Sequence, residues 1–139
     1  MRARIFTFLM LLIFCLSVQA FPTELSGTWI QPNRNETGVM HVRVDEHKEN
    51  TIIGVLEIRG SKDCPQPVAF RGKIEEKRVL IESTAHVVCG YGGRLTATVT
   101  KDGDDVYVGD FRYTYTMLGF AFTWASGTFR LSAMHKQKE

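Results

Sequence analysis

The sequence predicts an all-β protein, an antiparallel meander of about eight strands that forms a small closed or nearly closed barrel. Three observations carry this prediction. The chain contains short runs rich in valine, isoleucine, threonine and aromatic residues, and within these runs apolar and polar residues alternate with a period of two. Turn residues separate these runs, and no window holds a capped amphipathic helix longer than a few turns. Strands that follow one another without crossover helices pair as antiparallel neighbours.

The first 20 residues have the pattern of a secretory signal peptide. Two arginines precede an apolar run at residues 5–16, and Ala20 ends a small-residue cleavage pattern. The run is shorter than the ~20 residues of a membrane span. A lipid anchor on Cys15 is the alternative, which bulky Phe14 disfavours. We therefore predict export, secreted or periplasmic, with cleavage near Ala20, a barrel domain over residues 21–132 and a polar tail at 133–139, with no membrane span in the mature chain.

Each predicted strand is a run of β-forming residues bounded by turn residues. The Asp102-Gly103 pair favours the positive φ angles of a tight hairpin, and Gly119 separates the last two strands. The predicted strands lie near residues 26–31, 37–44, 51–59, 67–74, 78–84, 93–100, 105–115 and 119–131.

The motif Ser-Gly-Thr occurs in both the first and the last predicted strand, at residues 26–28 and 126–128. The residues that follow the two copies differ, which disfavours an internal duplication. The repeat is either a coincidence of common strand residues or the mark of neighbouring strands. Closure of a meander into a barrel requires the first and last strands to pair.

A Gly-x-Trp motif on the first strand, Gly27-Thr28-Trp29, together with Arg130 on the last strand, resembles the signature of the calycin barrels. These include lipocalins, fatty-acid-binding proteins and avidins. The resemblance implies that Trp29 plugs one end of the barrel and that Arg130 packs across it. A guanidinium stacks well on an indole face. Gly27, Trp29 and Arg130 are therefore expected to be structural, with Trp29 and Arg130 in contact.

The mature length is nearest to that of avidin-type barrels, and Gln31 stands where their first strand has an asparagine. With only two tryptophans in the chain, we do not expect biotin as the ligand. Alternation along the last strand puts Phe122 and Trp124 on the face of Arg130, and Tyr113 belongs to an aromatic face of the preceding strand. Gln31, Tyr113, Phe122 and Trp124 are the predicted ligand-binding residues, with the cavity at the end away from Trp29. Alternatively, these aromatic side chains simply fill the core.

Charge and cysteine content limit the partners. After residue 20 the chain has 15 acidic and 15 basic residues, so it has no electrostatic footprint for nucleic acid. Cys64 and Cys89 remain, and an even number of cysteines in an exported chain predicts a disulfide. A metal site would need more ligands, and His86 is the only nearby candidate, so we predict no metal.

Catalytic motifs are absent from the sequence. The four histidines are scattered, and His41 is the one that lies in mid-strand. There is no nucleophile elbow and no His-Glu-x-x-His motif. We predict no enzymatic activity and no cofactor. The sequon at Asn35 carries a glycan only if the source glycosylates secreted chains, and the sequence leaves that open.

The sequence therefore predicts an exported, non-enzymatic β-barrel that binds a small apolar or aromatic ligand. The alternative is a protein-interaction module, an inhibitor or a surface or virulence factor, that uses loops near Cys64 and Cys89 or a sheet face. A sizeable cavity around Phe122 and Trp124 would favour the first class. A filled barrel with an exposed apolar patch would favour the second.

Overall fold

The chain folds as a closed eight-stranded antiparallel barrel in a computed structural model, which describes residues 21–60, 67–85, 87–88 and 91–134. The predicted leader at residues 1–20, Cys64 and Cys89 of the predicted disulfide, His86 and residues 135–139 lie outside the described residues. The strands are β1 (Glu24–Gln31), β2 (Glu36–Lys48), β3 (Thr51–Arg59), β4 (Val68–Ile74), β5 (Val79–Ser83), β6 (Val87–Val88), β7 (Tyr91–Gly92), β8 (Arg94–Lys101), β9 (Val106–Met117) and β10 (Phe120–Ala133).

The strand order around the barrel is β1-β10-β9-β8-β5-β4-β3-β2, with β2 pairing back onto β1. The small hairpin of β6 and β7 lies in the connection from β5 to β8. All eight predicted strands are present in the barrel, so the predicted fold class is confirmed. The long central strands run four residues past the predicted end of β2 and two past that of β9.

The first and last strands close the barrel, as the repeated Ser-Gly-Thr motif suggested. β1 and β10 pair antiparallel from Leu25 opposite Ala133 to Ile30 opposite Thr128. Ala133, which was assigned to the polar tail, is the last residue of β10. Closure leaves no free edge in the paired part of the sheet, because every strand has a neighbour on both sides.

The connections define two ends of the barrel. The turns β2–β3, β4–β5 and β8–β9 lie at one end, the turn end, with the beginning of β1 and the end of β10. The β9–β10 turn lies at the other, the hairpin end. There Leu118 (φ 54) and Gly119 (φ 80) both have positive φ angles. A two-residue loop of this kind suits the right-handed twist of the flanking strands.

Trp29 is the centre of the core at the hairpin end. Its side chain is fully buried, and its indole Nε1–H donates a hydrogen bond to the Arg59 carbonyl oxygen at 3.1 Å. Its ring meets Phe111 edge-on, with centroids 6.5 Å apart. A Cβ on Gly38 would lie 2.8 Å from the indole nitrogen and 2.0 Å from the Arg59 oxygen. The glycine is needed because any larger residue would separate Trp29 from its acceptor.

The expected contact between Trp29 and Arg130 is wrong. Trp29 lies opposite Phe129, and directly opposed residues of an antiparallel pair point to the same face, here the interior. Arg130 lies opposite Thr28 on the outer face, where its Nη1 is 3.2 Å from Asp102 Oδ2. The resemblance to calycin barrels remains a prediction that the fold alone does not test.

Adjacent positions on β1 should therefore respond differently to truncation. We expect Trp29→Ala to lower the free energy of unfolding by about 3–5 kcal/mol, because it empties a core site and leaves a carbonyl without its donor. Ile30→Ala, at a half-exposed neighbour on the outer face, should cost about 1 kcal/mol or less. Urea unfolding of both variants measures this. Equal losses would contradict the inward placement of Trp29.

Candidate functional site

The interior of the barrel is filled by its own side chains. The cavity among the core residues has a volume of only about 30 Å³. Drug-sized ligands occupy pockets of roughly 300–1,000 Å³, and this space has room for little more than one or two waters. The largest fully buried side chains are Trp29, Phe70, Phe111, Leu25, Ile52 and Leu95.

The β9–β10 hairpin extends beyond the rest of the barrel, and its end is exposed. Pairing of β9 with β8 ends at Thr114, and pairing of β10 with β1 begins at Thr128. Beyond these points the two strands pair with each other, and every residue from 116 to 123 is exposed. We call residues 115–122 the projecting hairpin.

Two stacked aromatic pairs stiffen this ribbon and continue the inner face of the barrel outward. Tyr113 and Trp124 stack with centroids 4.7 Å apart and planes at 25°. One rung further out, Tyr115 and Phe122 stack at 5.4 Å and 24°. Such pairs across two strands add packing energy beyond simple burial. Both stacked pairs lie on the same face of the β9–β10 ribbon, so this face is aromatic.

A β-bulge explains how Trp124 joins this face. The register of β10 against β9 shifts between Thr123 and Ala125, so that Trp124 is an extra residue near Tyr113. Below the bulge the buried positions are Ala125, Gly127, Phe129 and Leu131. Above it, Phe120 and Phe122 lie opposite Met117 and Tyr115 on the aromatic side.

The projecting hairpin exposes a continuous apolar tip. Leu118 is 92% exposed, Phe120 69%, Met117 53% and Phe122 44%. With ~150–250 Å² for each large side chain, the tip offers on the order of 500 Å² of apolar surface. The largest patch on a monomeric protein typically covers about 300–600 Å² and is often functional. The opposite face of the ribbon carries Thr116, Ala121 and Thr123.

Charge is distributed unevenly along the barrel axis. No residue from 113 to 129 is charged. Near the base of the hairpin, the Arg34 guanidinium lies 5.2 Å from the Trp124 ring centroid, Arg94 lies opposite Thr114, and Arg112 lies opposite Ser126. Arg94 also forms an ion pair with Glu82. At the turn end, residues 46–50, 75–78 and 101–105 carry seven carboxylates against four basic side chains.

The four predicted ligand-binding residues all lie at the hairpin end. Gln31 and Tyr113 are buried, Trp124 is half-buried and Phe122 is exposed. Phe122 and Trp124 do share the core side, as predicted, although Arg130 does not. Sequence reasoning missed Met117, Leu118 and Phe120 as a tip, although Gly119 between two uncharged apolar runs marked the turn.

The turn end, where the cavity was expected, has an open crevice of about 410 Å³ instead. Phe21 packs on Tyr107 in this crevice, with centroids 5.6 Å apart, and charged residues of the turns form the rest of its wall. Burial, and then the nearby Asp105 carboxylate, raise the pKa of the Tyr107 phenol above its usual range. None of the predicted ligand-binding residues reaches this crevice.

The histidine singled out by the sequence lies on the outer face of β2. His41 is half-buried, with Nε2 4.0 Å from Glu24 Oε2, and Arg43 on the same face binds Asp45 at 2.7 Å. That hydrogen bond to Asp45 raises the pKa of the Arg43 guanidinium, which leaves it protonated. Among the described residues, no three of histidine, cysteine, aspartate and glutamate are grouped to hold a metal ion.

Two further observations complete the description of the chain. The residues that the structure describes include no helix that is long and apolar enough to cross a membrane. The chain matches no model of a protein family, no curated protein and no solved structure.

The two tryptophans should report separately on core and hairpin. We expect Trp124→Phe to remove most of the fluorescence that acrylamide quenches, because Trp29 is fully buried and Trp124 lies at the edge of the core. The matched variant Trp29→Phe should keep the quenchable emission. Stern–Volmer plots of both variants test this, and similar quenching in the two would contradict the placement of Trp124.

Proposed function

We propose that this protein is an exported, non-enzymatic binding module whose projecting hairpin attaches it to another surface. The barrel acts as a rigid support. The observation that carries the proposal is the apolar tip of Met117, Leu118, Phe120 and Phe122, which is exposed on an otherwise filled barrel.

A small ligand inside the barrel is the weaker proposal. The interior space of about 30 Å³ is an order of magnitude below what such a ligand needs. Of the two classes that the sequence left open, a filled barrel with an exposed apolar patch favours attachment through a surface.

A role in the fold does not explain why the projecting hairpin is so apolar. The ladder that closes the barrel runs from residue 25 to 30 on β1 and from 128 to 133 on β10, all below the projecting hairpin. A shorter β9–β10 connection would preserve that closure. Exposed phenylalanine and leucine also favour aggregation. Side chains that cost solubility without supporting the core are expected where a protein binds something.

Export and the disulfide belong to the same proposal. A leader at residues 1–20 would direct the chain out of the cytoplasm. In the oxidising compartments outside it, a disulfide bond between Cys64 and Cys89 would persist. The described strand ends that flank the two cysteine-containing connections, β3–β4 and β5–β8, lie at the hairpin end. A crosslink there would stabilise the rim from which the hairpin projects.

Removal of the apolar tip should abolish attachment without harming the fold. We expect the double variant Leu118→Ser/Phe120→Ser to unfold within about 0.5 kcal/mol of the parent, because both side chains are largely exposed. Its retention on a phenyl resin should fall sharply, whereas that of Met134→Ser, a half-exposed residue at the turn end, should change little. Unchanged retention of the double variant would refute an available apolar tip.

Because its interior is filled, the protein should be purified without a bound small molecule. Native mass spectrometry of the protein purified gently from its own compartment should give the bare mass of the cleaved chain, two hydrogen atoms lighter for the predicted disulfide. A reproducible extra mass of small-molecule size, lost on denaturation, would instead support a ligand and contradict the filled barrel.

A further inference from the structure

We propose that the surface bound by the projecting hairpin is a lipid bilayer, with the tip inserted into the interfacial region of an anionic membrane. This inference rests on the proposed function and names its partner. The argument rests on the order of side chains from the end of the hairpin towards the barrel: first the apolar tip, then the stacked aromatic pairs, then the arginines near the base.

The dimensions of the hairpin fit a shallow insertion. Leu118 lies three residues beyond Tyr115, which at ~3.4 Å per residue places the tip about 10 Å beyond the outer stacked pair. Interfacial segments bury their apolar faces about 5–10 Å into the boundary between headgroups and acyl chains. Met117, Leu118 and Phe120 would enter this layer together.

The stacked pairs would then lie at the headgroup level. Tyrosine and tryptophan concentrate there because their rings are apolar while the hydroxyl and indole N–H remain hydrated. Tyr115 belongs to the outer pair and Trp124 to the inner pair. The order Leu118, Tyr115, Trp124 therefore follows the polarity gradient of a membrane surface.

Backbone hydrogen bonding limits the depth of insertion. In the described chain, the outer edges of β9 beyond Thr114 and of β10 above Thr128 have no ladder partner. Unpaired edges are not tolerated in the hydrocarbon core, where no water satisfies them. The short tip can enter the hydrated interface, but the ribbon as a whole cannot cross the bilayer unaided.

Charge sets the orientation and favours anionic lipids. Arg34 and Arg112 lie near the inner aromatic pair, about the depth at which lipid phosphates would meet the protein. Arg94 lies at the same level but is paired with Glu82, and Glu36 lies opposite Gln31 at this end, so we attribute the attraction to anionic lipids to Arg34 and Arg112. The excess carboxylates of the turn end lie at the far end of the barrel. The absence of any charge from residue 113 to 129 means that no charged group loses its hydration on insertion.

A lipid surface suits this tip better than a protein partner does. The tip has apolar side chains around a two-residue turn and no charged side chain that would fix the register of a specific protein interface. Strand pairing with a second copy of the chain could use only the short edges at residues 115–117 and 120–123, the latter next to a bulge that twists them. Protein binding is therefore an outcome of the test, not the proposal.

The test is vesicle flotation of the full mature protein at low salt. The vesicles contain phosphatidylcholine alone or phosphatidylcholine mixed with phosphatidylglycerol. We expect binding that is stronger to the anionic vesicles, at least a tenfold loss of the partition coefficient for Leu118→Ser/Phe120→Ser, and a change below about twofold for Met134→Ser. Arg112→Gln should weaken binding to anionic vesicles by about fivefold and leave binding to neutral ones unchanged.

A fluorescence measurement establishes depth independently. Lipids that carry a nitroxide on the headgroup should quench the parent protein, and Trp124→Phe should lose this quenching, because Trp124 lies at the headgroup level while Trp29 is sealed in the core. Equal quenching of the parent and Trp124→Phe would overturn the insertion geometry.

The outcomes separate the two proposals. If the phenyl resin detects the tip but no vesicle binds, the lipid inference is overturned and a protein partner or a second copy remains. A concentration-dependent dimer that Leu118→Ser/Phe120→Ser dissolves, without vesicle binding, would identify the second copy and also overturn it. If the resin detects no tip, the proposed function itself fails.

Discussion

Closure of the barrel by β1 and β10 is the constraint on which the rest of the molecule depends. Six residue pairs form this ladder, and Trp29 lies within it, opposite Phe129. The Trp29 indole crosses the core end to donate to the Arg59 carbonyl oxygen on β3. Gly38 on β2 leaves the space for that approach. One side chain therefore joins four strands, and its fully buried ring fills part of the interior at the hairpin end.

Closure also determines which part of the chain projects beyond the barrel. The ladders that hold the barrel stop at Thr114 on β9 and Thr128 on β10, yet the two strands continue to a turn at Leu118-Gly119. The extra length is held by stacked aromatic pairs and by its own strand pairing. The exposed apolar surface of the tip and the buried core are thus formed by different residues, which lets one change without the other.

The bulge between Thr123 and Ala125 connects these two parts. Phe122 and Phe129 are seven positions apart, so without the bulge strict alternation would place them on opposite faces of β10. With it, Phe129 faces the core and Phe122 continues the same side outward against Tyr115. The bulge turns what would be an outer-face aromatic pair into an extension of the barrel interior, exposed to the surroundings. A bulge commonly re-aims side chains in this way at the rim of a barrel.

The sequence by itself predicted the strands and their antiparallel order, because alternation and turn residues are local signals. It left the pairing of the first strand with the last as one of two interpretations of the repeated Ser-Gly-Thr motif, and the structure decided it. The ligand-binding role that the sequence assigned to Phe122 and Trp124 stays a prediction, although the structure places both at the hairpin end. Only the tertiary structure decided that Arg130 faces outward, that the interior is filled and that Leu118 and Phe120 project beyond the rim. A bulge shifts every later side chain by one position, and the point where a neighbouring strand stops pairing depends on that strand's own length. Neither quantity is written in the local pattern of β10.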